Sequence, residues 1–244
     1  MATPERVLVI GGTRGTGLLI VGRLRERGYR VRVLARDPDR ASARLGVDTG
    51  AGAGTALEVR RGDITRPETL GPAIEDVQQI VFTAGVQSGK IASEAVVRAT
   101  DYQGVIDTLA AAERAGFGGR FEYLNSIGIM TPSIPGRLLN FLKGNTLVWR
   151  RRVEEALRAS RLDYTIIRVG FLMNGAPSGR ALDIGQRNLP LSGRYRISRA
   201  DAAEVFVEAL THPRASRTTF DAVWGRGDRV EPLSASLNRL EPDR

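Results

Sequence analysis

A glycine-rich loop near the start of the chain restricts its fold more than any other feature. Residues 11–17 read Gly-Gly-Thr-Arg-Gly-Thr-Gly and follow a continuous apolar run at residues 6–10. Such a run is typical of a strand buried on both faces, and helical periodicity follows the loop. Glycines allow a tight turn and close approach to a ligand, and a helix N-terminus attracts anions. The pattern predicts a loop that binds the pyrophosphate of a dinucleotide; the alternative is a glycine-rich turn without a ligand.

Strand-like and helix-like segments alternate along the rest of the chain. Strands are predicted at residues 6–10, 30–35, 56–60, 79–83, 121–125, 164–169 and 218–223. This alternation predicts a doubly wound parallel sheet of about seven strands, which is a single α/β domain with the Rossmann fold. The domain is expected to cover residues 1–225, and residues 226–244 are predicted to form a polar, partly disordered tail.

Three stretches interrupt the alternation. Residues 46–55 are rich in glycine and alanine and predict a mobile surface loop. Residues 126–145 and 170–196 are long and contain proline and glycine, and each follows the carboxyl end of a strand, where open α/β sheets bind ligands. We therefore expect them to form a small substrate-binding lobe with an apolar pocket for a planar molecule. Its candidate side chains, for which ordinary core packing is the alternative, are Phe141, Leu142, Phe171, Leu172 and Met173.

Charged residues dominate one face of the helix predicted at residues 146–160. The spacing places Val153 and Leu157 toward the core and Glu154, Glu155 and Arg158 toward solvent. Glu154 and Arg158 are four residues apart, which is a favourable spacing for an ion pair.

The end of the second predicted strand indicates which dinucleotide the loop binds. NAD-preferring sites place an acidic residue there to bind the ribose 2′-hydroxyl. Here Arg36 is the first polar residue, and its guanidinium is suited to a 2′-phosphate. Arg14 in the loop and Arg40 are additional candidates. NADPH is therefore the predicted cofactor, and the alternative is that Asp37 binds the 2′-hydroxyl of NADH.

Composition limits the other functions. The chain has no cysteine and one histidine, His212, so a metal site is not expected. The net charge is +9, but the arginines are spread along the chain without interleaved aromatics, and we expect no nucleic-acid partner. No signal peptide or long apolar segment is present, which predicts a cytoplasmic protein without membrane contact. We expect the protein to be a monomer or a homodimer.

The chain resembles the short-chain dehydrogenase/reductase superfamily, and within it the atypical, NmrA-like group of NAD(P)H-binding proteins. The resemblance covers residues 7–223. Besides the glycine loop it rests on the segments at residues 34–37, 61–64, 101–104, 124–126, 159–168 and 197–203. It implies that Asp63 and Ile64 flank the adenine, that Thr83, Ala84 and Gly85 line its ribose, and that Ser126 lies beside the nicotinamide. A strand end, for Thr83 to Gly85, and a hydroxyl bonded to its own backbone, for Ser126, are the structural alternatives. The residues expected to bind the cofactor are thus Gly11, Thr13, Arg14, Gly15, Thr16, Gly17, Arg36, Asp63, Ile64, Thr83, Ala84 and Gly85.

Three positions depart from the superfamily pattern. Typical members carry a tyrosine and, four residues later, a lysine that lowers the phenol pKa so that it can donate a proton. These positions read Thr146 and Arg150, and the usual asparagine of the fourth helix reads Asp101. Lys143 is near in sequence, but Leu139 stands where its tyrosine would be. Ordinary interconversion of alcohols and ketones is therefore not expected.

Two functions remain. The first is an NADPH-dependent oxidoreductase that reduces a quinone, a flavin or an aromatic polyketide-like molecule, because these acceptors need little acid catalysis. Ser126 and Arg150 are its candidate catalytic residues, although Arg150 is also interpretable as a solvent-facing helix residue. The second is a non-catalytic sensor or regulator that binds NADP(H), which the missing tyrosine and lysine favour. An epimerase acting on nucleotide sugars ranks last because it needs that pair.

Overall fold

A computed structural model describes residues 5–47, 56–86 and 91–243. The strands are β1 (Arg6–Ile10), β2 (Arg30–Ala35), β3 (Leu57–Arg61), β4 (Gln79–Phe82), β5 (Arg120–Ser126), β6 (Asp163–Val169), β7 (Phe171–Met173), β8 (Arg180–Gly185), β9 (Arg196–Ser198) and β10 (Thr218–Asp228). The α-helices are α1 (Gly15–Glu26), α2 (Pro38–Leu45), α3 (Gly71–Ile74), α4 (Glu94–Val97), α5 (Gly104–Arg114), α6 (Ile134–Leu142), α7 (Thr146–Ala159), α8 (Arg199–Ala209) and α9 (Leu233–Leu237). Short 3₁₀ turns cover Pro67–Thr69 and Pro213–Ala215, and a π-helical segment, Arg98–Gln103, joins α4 to α5.

The main sheet confirms the predicted doubly wound fold. Its order is β3-β2-β1-β4-β5-β6-β10-β8. The first seven strands in that order are parallel and correspond to the seven predicted from the sequence, whereas β8 pairs antiparallel with β10. The chain winds in opposite directions from β1 and β4, so the crevice between their carboxyl ends is the switch point at which such sheets bind ligands.

Two apolar cores cover the two faces of the sheet. β1 contributes to both, because Val7 and Val9 pack on one side while Leu8 and Ile10 pack on the other. Its continuous apolar run is therefore explained by burial on both faces. A third, smaller core lies under the segments that follow β5 and β6 and consists of Ile127, Ile129, Leu147, Leu189, Leu191 and Val223.

The two predicted long loops contain regular structure, so the expectation of loops is wrong for parts of them. α6 occupies residues 134–142, and its N-cap, Ser133, accepts a hydrogen bond from Gly136 N at 3.2 Å. Pro135 lies in the first turn, where proline is compatible with a helix. Residues 170–196 supply β7, β8 and the start of β9, and β8 forms the antiparallel edge of the main sheet.

α2 is a helix that the sequence-based prediction lacked. Asp37 caps its N-terminus, Pro38 starts it, and Gly46 ends it with a left-handed φ of +64°. These are ordinary helix start and stop signals. The loop predicted at residues 46–55 lies mostly outside the described residues, which end at residue 47 and resume at residue 56.

The prediction of a polar, partly disordered tail is wrong for residues 226–243. β10 continues to Asp228, and α9 then packs Leu233 and Leu237 against the core. Leu240 is also buried, so leucines recur at helical spacing in this segment. The Tyr164 hydroxyl donates a hydrogen bond to Asp243 at 3.0 Å, which attaches the end of the described chain to β6.

Candidate active site

The glycine loop packs against the end of β4. Gly11 has a left-handed φ of +91°, and a Cβ there would lie 2.6 Å from the Ala84 backbone nitrogen. A Cβ on Gly17 would overlap the Gly11 carbonyl. The Thr83 hydroxyl donates to the Ile10 carbonyl at 3.1 Å. Close packing thus requires glycine at both positions. Thr83 follows directly after β4, and its side chain holds the glycine loop in place.

The N-terminus of α1 is open to an anion. Arg14 precedes it with extended backbone and no side-chain cap, and the first turn contains no acidic residue. The Thr16 hydroxyl is buried and has no hydrogen-bond partner among the residues that the structure describes. Such a group costs free energy until a partner is supplied. A phosphate oxygen at this position would accept its hydrogen bond, so the loop fits the pyrophosphate of a dinucleotide.

Two arginines lie together at the ends of β2 and β3. Arg36 is exposed, and Arg61 Nη1 lies 3.5 Å from the Arg36 carbonyl oxygen. The neighbouring Asp37 carboxylate accepts a hydrogen bond from Arg40 N at 3.1 Å and thereby caps α2. The competing ligand for a ribose 2′-hydroxyl therefore also serves as a helix N-cap, and this one hydrogen bond leaves further acceptor sites on its carboxylate. Arg61 is an addition to the predicted set, and its position beside Arg36 follows from the parallel pairing of β2 with β3.

Asp63 and Ile64 follow β3 and have different surroundings. The Asp63 carboxylate accepts hydrogen bonds from the Thr65 backbone and hydroxyl, both at 2.9 Å, and so forms a tight local turn. Ile64 packs directly on Gly104, where a Cβ would lie 3.0 Å from it. The structure thus places both residues at the carboxyl edge of the sheet, just after the end of β3 and beside the end of β2.

The three residues that depart from the superfamily pattern are in contact, and Asp101 binds the other two. Its carboxylate accepts hydrogen bonds from the Val86 backbone at 2.7 Å and from the Thr146 hydroxyl at 3.1 Å. Arg150 Nη2 lies 3.3 Å from the same carboxylate, and Nη1 donates to the Leu124 carbonyl at 3.0 Å. We refer to Asp101, Thr146 and Arg150 as the polar cluster. Asp101 is buried at the π-helical segment, a form of helix often found at functional sites.

The solvent-facing interpretation of Arg150 is wrong. Its side chain is only 15% exposed and points to the carboxyl ends of β4 and β5, where a Cβ on Gly85 would come within 2.9 Å of it. The assignment of Glu154 to the solvent face is also wrong, because Glu154 is buried against Arg168 of β6. Its expected ion pair with Arg158 is present at 3.0 Å.

Lys143 lies beside the polar cluster. It ends α6, and its carbonyl accepts a hydrogen bond from Thr146 N at 3.0 Å. Burial lowers the pKa of the Lys143 amine, Asp101 raises that pKa, and the charge of Arg150 lowers it. The net direction is downward, so the ammonium is less favoured here than in water.

Ser126 ends β5 with its side chain engaged locally. The hydroxyl donates to the Ile127 carbonyl at 2.9 Å, and the backbone nitrogen donates to the Asn125 side chain at 2.9 Å. This is the backbone-bonded geometry that is the alternative to a catalytic role. The hydroxyl oxygen can still accept a hydrogen bond, but donation to a substrate would require rotation of the side chain.

Apolar side chains surround the carboxyl edge of the sheet beyond β5 and β6. Phe171 and Met173 project from the same face of β7 and are 39% and 38% exposed. Phe141 and Leu142 of α6 are also exposed. Leu172, in contrast, packs on the main core, so ordinary core packing holds for this one of the five predicted pocket residues.

Comparisons with known proteins identify the class. The family model described as NAD(P)H-binding matches residues 11–213. The protein belongs to this family, in the atypical, NmrA-like group of the short-chain dehydrogenase/reductase superfamily. The family establishes a nicotinamide dinucleotide as the cofactor type.

Individual relatives are distant. Sanguinarine reductase from Eschscholzia californica is 30% identical over 253 residues, covering 88% of this chain and 87% of the relative. A putative NAD-dependent epimerase/dehydratase from Bacillus halodurans has a TM-score of 0.76 at 23% identity, covering 97% of this chain and 100% of the other. The anaerobillin reductase ChuY from Escherichia coli O157:H7 has a TM-score of 0.70 at 21% identity, covering 93% and 100%. At these identities the two solved structures support the fold.

Among the described helices, none has both the length and the apolar character needed to cross a bilayer. The described residues also contain no group of three or more His, Asp or Glu side chains placed to bind a metal ion.

Proposed function

We propose that the protein is an NADPH-dependent reductase that transfers hydride to a planar, apolar acceptor, of the class of quinones, flavins or aromatic polyketides. This proposal rests on the polar cluster. It occupies the positions of the usual proton relay and supplies a fixed cation, but its guanidinium and hydroxyl are poor proton donors. An acceptor whose reduced form is a stabilised anion does not need an acid from the protein.

The arginines at the adenosine end favour NADPH over NADH. Arg36 and Arg61 together present two guanidinium groups, which suit a 2′-phosphate. Asp37, the competing ligand for a ribose hydroxyl, caps α2 through one carboxylate oxygen. Arg36→Ala should therefore weaken NADPH binding and leave NADH binding nearly unchanged.

The protein's own residues would hold the acceptor and stabilise the negative charge that forms on it. Bound NADPH would supply the hydride, and the acceptor would then take a proton from solvent. Arg150, fixed by Asp101 and the Leu124 carbonyl, would stabilise the negative charge that develops on the acceptor oxygen. Phe171 and Met173 would pack on one face of the planar acceptor. Ser126 would donate a hydrogen bond to the acceptor oxygen only after its hydroxyl rotates away from the Ile127 carbonyl.

The names of two similar proteins, sanguinarine reductase and anaerobillin reductase, support reduction as the activity. NADPH oxidation should be measured with quinones and flavins, and with a simple ketone as the acceptor that needs an acid. We expect turnover of the first group and none of the ketone.

Arg150 is tested by a matched pair of variants. Arg150→Met should lower kcat by about 10²-fold, as for other donors to a developing oxyanion, while Arg151→Met on the exposed neighbouring position should not change it. Because Arg150→Met leaves Asp101 buried without its cation, the double variant Asp101→Asn/Arg150→Met keeps the test valid if the single variant is unstable. An unchanged kcat in a folded variant would remove Arg150 from the mechanism.

The second candidate is a sensor that binds NADP(H) without turnover. The exposed apolar face of α6, formed by Ile134, Leu138 and Phe141, favours this function because it is suited to contact a partner. Tight NADPH binding with no turnover of any acceptor would support the sensor and refute the reductase.

A further inference from the structure

Arg199 of α8 lies over the glycine loop at residues 11–17. In the described part of the chain, the only non-neighbouring atoms within 4 Å of a Cβ built on Gly15 are Arg199 Nε at 3.7 Å and Cδ at 3.9 Å. Gly15 begins α1 and Arg199 begins α8, so the arginine stands beside the helix end that attracts the pyrophosphate. Arg199 lies in the segment at residues 197–203 that carries part of the family resemblance, but the sequence analysis gives it no role.

The guanidinium of Arg199 is held by the segment after β7. Its Nη1 donates to the Leu172 carbonyl at 3.2 Å and to the Asn174 side-chain oxygen at 2.8 Å. Among the described residues, no partner is found for its Nη2. An arginine can bind a phosphate with one edge while the other edge keeps protein partners.

The sheet order indicates which phosphate lies near Arg199. Arg36 and Arg61 end strands on one side of the switch point between β1 and β4, and they define the adenosine side. Leu172 and Asn174 follow β6, on the opposite side of that point, where the nicotinamide half of a dinucleotide would lie. Arg199 therefore lies between the glycine loop and the nicotinamide side.

We propose that Arg199 binds the nicotinamide-side phosphate of the dinucleotide and thereby fixes the segment after β7 over the cofactor. This inference rests on the proposed NADPH binding, but it does not require turnover. It adds a third cationic position to the site, separate from the 2′-phosphate pair. It also couples the cofactor to Phe171 and Met173, because the Leu172 carbonyl that Arg199 binds lies between them.

Calorimetric binding of two ligands separates this role from a general one. NADP⁺ contains both phosphates of the pyrophosphate bridge, whereas 2′,5′-ADP contains only the adenosine-side 5′-phosphate and the 2′-phosphate. We expect Arg199→Gln to weaken NADP⁺ binding by about tenfold or more, the usual effect of losing a charge-assisted contact, and to leave 2′,5′-ADP binding unchanged. Arg196→Gln removes the same charge three residues away, at an exposed position of β9, and should bind both ligands as wild type does.

Hydrogen exchange provides a second readout. NADP⁺ should slow exchange of the amides at residues 171–175 in the wild type and not in Arg199→Gln. Arg199→Lys should keep part of the affinity for NADP⁺, and it allows the comparison if the glutamine variant is unstable. Wild-type affinity of Arg199→Gln for NADP⁺, or an equal loss for 2′,5′-ADP, would overturn the assignment. Failure of the wild type to bind NADP⁺ would refute the cofactor proposal itself, whereas binding without turnover would refute only the reductase.

Discussion

Replacing Arg168 by methionine tests whether the buried charges between α7 and the sheet depend on one another. Arg168 and Glu154 are each 3% exposed, and Arg168 Nε donates to the Glu154 carboxylate at 3.0 Å while Nη2 forms a second, shorter contact. Arg168 Nη1 also contacts Asn188 and lies 3.8 Å from the buried carboxylate of Asp221. Arg168→Met would leave Asp221 without its nearest cation, and Glu154 with Arg158 as its remaining ion-pair partner and Asn125 as a hydrogen-bond donor.

The expected loss of stability is large. Removing one partner of a buried ion pair costs about 3–5 kcal/mol, because the other charge stays buried. In a chain of 244 residues, each kcal/mol lowers Tm by about 2–4 °C, so we expect a decrease of about 6–20 °C. The additional substitution Glu154→Leu removes the orphaned carboxylate, and the double variant should be more stable than Arg168→Met alone.

Thermal and denaturant unfolding of five proteins measure this: the wild type, Arg168→Met, Glu154→Leu, the double variant and the control Arg151→Met. Arg151 pairs with Glu155 at the surface, where both side chains are more than half exposed, and its loss should cost less than about 1 kcal/mol. If Arg168→Met melts within about 2 °C of the wild type, or if the losses of the two single variants simply add, the charges are independent and the reasoning is refuted.

Three further predictions concern the core, the C-terminal segment and the cofactor. Glu122 is fully buried with no partner for its carboxylate among the described residues, and burial raises its pKa. The folded protein therefore loses stability as pH rises above the ordinary glutamate pKa. The Tm advantage of Glu122→Leu over the wild type should grow from acid to neutral pH, and a constant or negative difference in Tm would contradict this. Leu237→Ala should cost about 2–5 kcal/mol in denaturant unfolding, because Leu237 is fully buried, and a cost within about 0.5 kcal/mol would place α9 outside the cooperative fold. Arg36→Ala should weaken NADPH binding by about tenfold or more in fluorescence titration with little change for NADH, and equal losses for both would remove Arg36 from the 2′-phosphate site.

The parallel sheet and the glycine loop between β1 and α1 were predictable because their signals are local. The apolar run at residues 6–10 indicates a buried strand, and the glycines at residues 11–17 indicate a tight loop, each from a few consecutive residues. α2 and α9 carry equally local signals, the Asp37-Pro38 start and the leucines at residues 233, 237 and 240, which the alternation of strands and helices obscured. β8 is different, since its pairing with β10 joins residues about 40 apart and has no local signature.

The direction of the charged side chains on α7 could not be predicted from its periodicity. Apolar spacing identifies Val153 and Leu157 as buried, but the adjacent stripe of the helix also faces the sheet. Arg150 and Glu154, four residues apart, occupy that stripe and are buried there only because Asp101 and Arg168 compensate their charges. Those partners lie on other elements, so periodicity alone makes both residues look exposed.

The departures from the superfamily pattern therefore act as a set. Arg150 without Asp101 would be a largely buried cation without a counter-charge, and Asp101 without Arg150 and Thr146 would be a buried carboxylate held by few donors; each costs free energy that the pair removes. An active site that had merely lost its tyrosine and lysine would be expected to retain unpaired or poorly packed groups. The polar cluster is instead hydrogen-bonded and charge-balanced, with Arg150 fixed at the ends of β4 and β5. This internal consistency favours a substituted site with a positioned cation over a decayed one, and Arg150→Met with Asp101→Asn is the change that separates the two.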